Sequence, residues 1–120
     1  EPPPLATKRF SFENALVSVV LILPNRIALG EEFLVQYLVT AKVPLVYIDL
    51  RSVPNGRIYA EHDGYFQKLH IPAGRTLEFS YRARAISQGN GAIDTILIAA
   101  NERAEELRER AEFLIGNAGK

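Results

Sequence analysis

The stretch Ile71-Pro72-Ala73-Gly74-Arg75-Thr76-Leu77-Glu78-Phe79-Ser80-Tyr81-Arg82-Ala83-Arg84-Ala85-Ile86-Ser87-Gln88-Gly89 decides the fold class of this chain. A Pro-Ala-Gly turn signal runs into a strict two-residue alternation. Leu77, Phe79, Tyr81, Ala83 and Ala85 share one face, while Glu78, Ser80, Arg82 and Arg84 share the other. Such a strand is packed on one side and wet on the other, which is the pattern of an antiparallel sandwich or barrel.

The segments N-terminal to this strand repeat the pattern. Residues 58–69, interrupted by His62-Asp63-Gly64, read as short strands joined by a loop, and Pro54-Asn55-Gly56 is a turn. Residues 43–53 alternate, with Val46, Ile48 and Leu50 facing one way and Leu45, Tyr47 and Asp49 the other. In residues 31–40, Phe33, Val35, Tyr37 and Val39 oppose Leu34, Gln36 and Leu38; both faces are partly apolar, so this strand is expected to be central. Gly30 marks a turn after a short return segment, residues 26–29. Residues 10–23 read as one strand that stops at Pro24-Asn25, because proline cannot continue a central ladder.

On the C-terminal side, Gln88-Gly89-Asn90-Gly91 is a hairpin-type connection, and residues 92–100 form a strand apolar on both faces apart from Asp94 and Thr95. Residues 101–115 carry two rhythms. Ala104, Leu107, Ala111 and Leu114 have helical spacing, whereas Arg108, Arg110 and Glu112 alternate with Glu109, Ala111, Phe113 and Ile115. A strand over about 107–115 is expected, since without it the edge beside 92–100 is open; a C-terminal helix is the alternative. The chain is therefore read as all-β, an antiparallel sandwich of about seven strands. A Pro-rich tail or linker occupies residues 1–9, the sandwich residues 10–116 and a flexible C-terminus residues 117–120.

Composition sets the remaining bounds. At 120 residues the chain is one domain large enough to fold without a metal or disulfide staple. Fourteen Lys plus Arg balance fourteen Asp plus Glu, so no general electrostatic grip on nucleic acid is expected. Absence of cysteine removes thiol chemistry, and absence of methionine, even at position 1, is read as a processed product or excised domain. No apolar run approaches the roughly 20 residues that span a bilayer, so no membrane insertion is expected.

The succession Leu23-Pro24, Leu29-Gly30-Glu31, Val53-Pro54-Asn55-Gly56, Ile71-Pro72-Ala73-Gly74-Arg75-Thr76, Tyr81-Arg82-Ala83-Arg84-Ala85 and Gly89 resembles the Ig-like repeat of bacterial and archaeal surface proteins. The cell-adhesion-related bacterial domain is similar. The resemblance spans most of residues 15–115. It implies an Ig-like fold, an extracellular or cell-envelope setting, and a structural or adhesive role with no catalytic residues to carry over. The Arg- and Glu-rich ending, residues 102–112, departs from that pattern and introduces an alternative, a self-assembling subunit of a virion surface or envelope lattice.

Candidate sites are few. Glu61-His62-Asp63 is the one sequence cluster of acid, base or ligand groups; His70, Asp49 and Asp94 lie apart from it, and adjacent residues rarely converge on one point. Loop turn chemistry is the preferred reading, with no metal, no cofactor and no enzymatic activity expected. Arg82 and Arg84 share a strand face, as do Arg108 and Arg110 if the last segment is a strand. Paired with Glu78 or Glu112 they make a solvated sheet face, or else an interface to a protein partner, a neighbouring domain or a second copy. Tyr59, Tyr65 and Phe66 are read first as core or edge packing; with His62 and Asp63 they surround the irregular loop and form a possible ligand loop, for which a glycan is the ligand considered.

Overall fold

The structure is a computed structural model that describes residues 7–61 and 64–117. Its strands are β1 (Thr7–Glu13), β2 (Val17–Pro24), β3 (Ile27–Ala28), β4 (Glu32–Ala41), β5 (Leu45–Pro54), β6 (Ile58–Ala60), β7 (Gly64–Ile71), β8 (Thr76–Ala85), β9 (Gly89–Ala100) and β10 (Ala104–Gly116). They form two five-stranded sheets, ordered β1-β2-β4-β8-β6 and β3-β10-β9-β5-β7. All pairings are antiparallel except the short one between β10 and β3. The architecture is an Ig-like sandwich.

Strand β8 buries Leu77, Tyr81, Ala83 and Ala85, half-buries Phe79, and exposes the residues between them, as its alternation requires. β4 lies between β2 and β8, with Val35, Tyr37 and Val39 wholly enclosed. The facing sheet contributes Ile48 and Leu50 from β5 and Ile93 and Leu97 from β9, giving the continuous apolar layer that holds the two sheets together. Phe33 and Phe113 meet edge to face across this layer, with ring centroids 6.4 Å apart.

One polar feature crosses it. The Tyr37 hydroxyl lies 2.7 Å from Thr95 Oγ1 and 2.7 Å from Ser52 Oγ, and Ser52 Oγ lies 2.6 Å from the Tyr81 hydroxyl. Ser52 and Thr95 are buried, so this chain of four hydroxyls satisfies groups that water cannot reach. Burial pushes the pKa of both tyrosines up; the hydrogen bonds to Ser52, and for Tyr37 also to Thr95, oppose that shift.

Several sequence expectations are corrected. Residues 10–23 are two strands, because Asn14 Oδ1 accepts hydrogen bonds from the Leu16 and Val17 amides at 2.8 and 2.9 Å and folds the chain back. Thr7, Lys8 and Arg9, read as tail, pair with Pro24, Leu23 and Ile22; residues 1–6 and 118–120 lie outside the described residues. Leu45 is buried and Val46 is exposed, the reverse of the expected faces. The change of face is shared with β7: Ile71, which pairs with Leu45, is buried too, and it follows His70, whose φ is 57°. Residues 104–116 are a strand, so the helical alternative is not adopted; twelve residues of β10 pair with β9.

Both ends of the described chain lie at one end of the sandwich. Thr7 pairs with Pro24, and Ile115 and Gly116 pair with Ile27 and Ala28, the first of them three residues further on. Lys8, Gly116 and Asn117 accordingly line one shallow depression. β10 is covered by β3 only at Ile115 and Gly116, so the rest of its outer edge carries no strand partner among the described residues.

Candidate functional site

Strand β6 pairs with β8 only from Ile58 opposite Ala85 to Ala60 opposite Ala83, and it forms one edge of its sheet. The chain then crosses to β7, an edge of the other sheet. Between these two edges lies a cleft of about 490 Å³, lined by Arg51, Val53 and Pro54 of β5, Tyr59 of β6, and Gly64 and Tyr65 of β7. The volume lies in the range of about 300–1,000 Å³ that small ligands and side-chain anchors occupy.

The base of the cleft depends on a missing side chain. A Cβ on Gly64 would stand 2.8 Å from the Ser52 carbonyl oxygen and 2.9 Å from Tyr81 Cε1, so only glycine lets β7 sit this close. Its walls are aromatic. Tyr65 is 42% exposed, and its hydroxyl donates a 2.8 Å hydrogen bond to Asp49 Oδ2; the Arg51 guanidinium carbon lies 4.9 Å from the ring centroid. The hydrogen bond to Asp49 raises the Tyr65 pKa, with Arg51 opposing. Tyr65 is thus held in place from two sides before any partner arrives. Tyr59, 55% exposed, stands on the opposite side beside Arg84 in register. Val53, 48% exposed, adds aliphatic surface. Two aromatic faces, a planar cation and an aliphatic rim are the groups that carry contact energy at protein interfaces.

The structure brings together part of the expected ligand loop. Tyr59 and Tyr65 line the same cleft, whereas Phe66 is half-buried and stacks on Phe79 with centroids 5.0 Å apart. Phe66 is therefore a packing residue rather than an exposed platform. His62 and Asp63 lie outside the described residues. Asp49 accepts from Tyr65 and from Gln67, and Asp94 lies 3.7 Å from Arg110, so neither is paired with a histidine. No three His, Asp or Glu residues gather among the described residues.

The two arginine pairs lie on opposite outer faces. Arg82 Nη1 and Arg84 Nη2 sit 4.0 and 3.5 Å from Glu32, and Arg84 Nη1 donates to the Gly30 carbonyl at 2.7 Å. The expected partner Glu78 instead accepts from Gln36 Nε2 at 2.6 Å. On the other sheet Arg108 pairs with Glu106, and Arg110 with Asp94 and with Glu112 at 3.6 Å. The two pairs thus belong to separate surfaces, one on each sheet. Arg51, which sequence reading passed over, is the arginine that lies over the Tyr65 ring and lines the cleft with Tyr59; its position opposite Tyr65 follows from the β5–β7 register, and the signal was an arginine one residue beyond the apolar run of β5.

No family model matches the chain, and no curated protein matches it. Among solved structures, the chain is similar to native alpha-2-macroglobulin from Escherichia coli, in a crystal structure spanning the residues from domain MG7 to the C-terminus. The TM-score is 0.69 at 14% identity, over 95% of this chain and 17% of that one. The likeness is one of fold, and it matches the whole of this sandwich to a small part of a much longer chain.

Proposed function

We propose that this chain is a noncatalytic Ig-like module of an extracellular or cell-envelope protein, acting through protein–protein contact at the β5–β6–β7 cleft. The observation that carries the reading is the placement of exposed Tyr59, Tyr65 and Arg51 around one cleft, with the Tyr65 ring already held by Asp49. A rigid aromatic wall costs little conformational entropy on binding, which is what a contact surface requires.

The similarity to a minor part of a long chain supports a module of a larger protein, and the sequence resemblance to surface repeats supports the envelope setting. Within that class, an adhesive role is favoured over a stalk spacer. With Thr7 and Gly116 at one end, the sandwich adds little of its 50 Å longest dimension to the distance between neighbours; it projects from its attachment instead.

The test is site-specific photocrosslinking in the parent protein. Benzophenone-phenylalanine in place of Tyr59 is expected to give a discrete protein adduct, and the same group in place of Thr76, on an outer face away from the cleft, is expected to give none. Equal labelling from both positions, or none from Tyr59, overturns the reading. A saturable shift of Tyr59 and Tyr65 ring signals with oligosaccharides would favour the glycan-binding alternative instead.

A further inference from the structure

We propose that the partner of the cleft is the proline-rich stretch of a second copy, residues 1–5, so that two chains exchange these stretches reciprocally. The proposal rests on the contact-module reading and names its partner. Three consecutive prolines, Pro2, Pro3 and Pro4, favour polyproline II geometry, whose carbonyls make no internal hydrogen bonds and whose rings pack on aromatic side chains. The cleft supplies matching groups: the Tyr59 and Tyr65 rings, Pro54 and Val53 beside them, and Arg51, whose side chain is 62% exposed. Arg51 is also the cation placed to meet the Glu1 carboxylate, or to donate to the free carbonyls.

Reach decides whose stretch enters. β1 and β6 are opposite edges of one sheet, separated by four strand spacings, which is about 19 Å at about 4.8 Å each. Pro2, the farthest-reaching of the three, is five residues from Thr7, which allows it only about 17 Å of extended chain. The prolines therefore cannot enter the cleft of their own sandwich. A second copy meets no such limit. Thr7 and Tyr59 lie toward the same end of the sheet, Thr7 opposite Pro24 and Tyr59 opposite Arg84 near the Gly30 turn. Two sandwiches that approach through this end can each offer a stretch to the other's cleft. The exchange closes on itself with two-fold symmetry, as most soluble homodimers do.

Sedimentation equilibrium of the full 120-residue chain is expected to give a dimer. Pro2→Ser, Pro3→Ser and Pro4→Ser together, or Tyr59→Ala alone, should shift it to monomer by weakening association at least about tenfold. Cooperative urea unfolding of each variant establishes that it is folded. A fluorescein-labelled peptide Glu-Pro-Pro-Pro-Leu-Ala should bind the triple-serine chain saturably, and bind at least about tenfold more weakly once Tyr59→Ala is added. A concentration-independent monomer, a dimer that survives the serine substitutions, or peptide binding indifferent to Tyr59→Ala overturns the proposal. A monomer whose Tyr59 signals change with the serine substitutions does so too, by placing the stretch in its own cleft. If the chain is monomeric while position 59 still crosslinks a protein in the parent, the exchange fails and the contact-module reading stands. If crosslinking fails as well, both fall.

Discussion

Ser52 Oγ stands 2.6 Å from the Tyr81 hydroxyl, a contact that joins β5 of one sheet to β8 of the other beneath the floor of the cleft. Ser52 also meets Tyr37, so one small hydroxyl satisfies two buried phenols. Removing it is more costly than removing either end of the chain. Ser52→Ala is expected to destabilise the fold by about 1–3 kcal/mol, because two enclosed hydroxyls lose their shared partner, whereas Tyr81→Phe should cost only about 1 kcal/mol. Urea unfolding checks both, and the midpoint should fall while the slope stays constant.

The same hydroxyls set a response to alkali. Burial raises the pKa of Tyr37 and Tyr81 above the ordinary 10.0, so the folded state keeps protons that the unfolded state has released. Their contribution is fully present below the unfolded value and is lost as pH rises through the folded ones. Stability should therefore decline above about pH 10, by up to about 1.4 kcal/mol per pH unit for each group. Comparing urea midpoints at about pH 8 and about pH 11 tests this, and the decline should be shallower in Tyr37→Phe and Tyr81→Phe.

Gly64→Ala should strain the floor of the cleft. The new methyl meets the Ser52 carbonyl oxygen at 2.8 Å, a backbone atom that cannot swing aside, as well as the Tyr81 ring. A loss of about 1–3 kcal/mol is expected, read by thermal unfolding. Gly56→Ala, where nothing lies within 4 Å of the added Cβ, serves as the control.

Glu109 points to the same side of β10 as buried Leu107 and Ala111, yet it is exposed. An inward-directed charge on a strand most of whose outer edge has no strand partner among the described residues discourages other strands from adding there. Glu109→Val is expected to leave the folded monomer intact but to promote aggregation on heating. Light scattering during a thermal ramp reads the effect, and an unchanged onset counts against a guarding role for Glu109.

Legibility in the sequence followed the range of the forces involved. The alternation of residues 77–85 was readable because each side chain's face is fixed by its own position along the strand. The break between β1 and β2 was hidden by apolar residues on both sides of Asn14, whose side-chain oxygen makes the turn. The faces of Leu45 and Val46 were misassigned because the alternation breaks there on β5 and on its partner β7 together, where His70 has a positive φ, and neither break shows in the residue pattern. Residues 104–116 carried two rhythms, and the long pairing with β9 selects one of them. In the cleft, Tyr59 and Tyr65 were visible as aromatics near a loop. Arg51 was not, since strand register alone brings it to Tyr65, and the partner on which Phe66 packs, Phe79, is remote in sequence.

The shared end of β1 and β10 has a mechanical consequence. Tension carried through Thr7 and Gly116 enters and leaves the sandwich at one place. It would peel β1 from β2 and β10 from β9 one hydrogen bond at a time, rather than load either ladder along its whole length at once. Such a body yields to pulling from its edges inward, with β4, β5 and β8 unloaded until the outer strands have gone. A protein that hangs this sandwich from its backbone can stretch without dragging the cleft out of shape, so long as those outer strands hold.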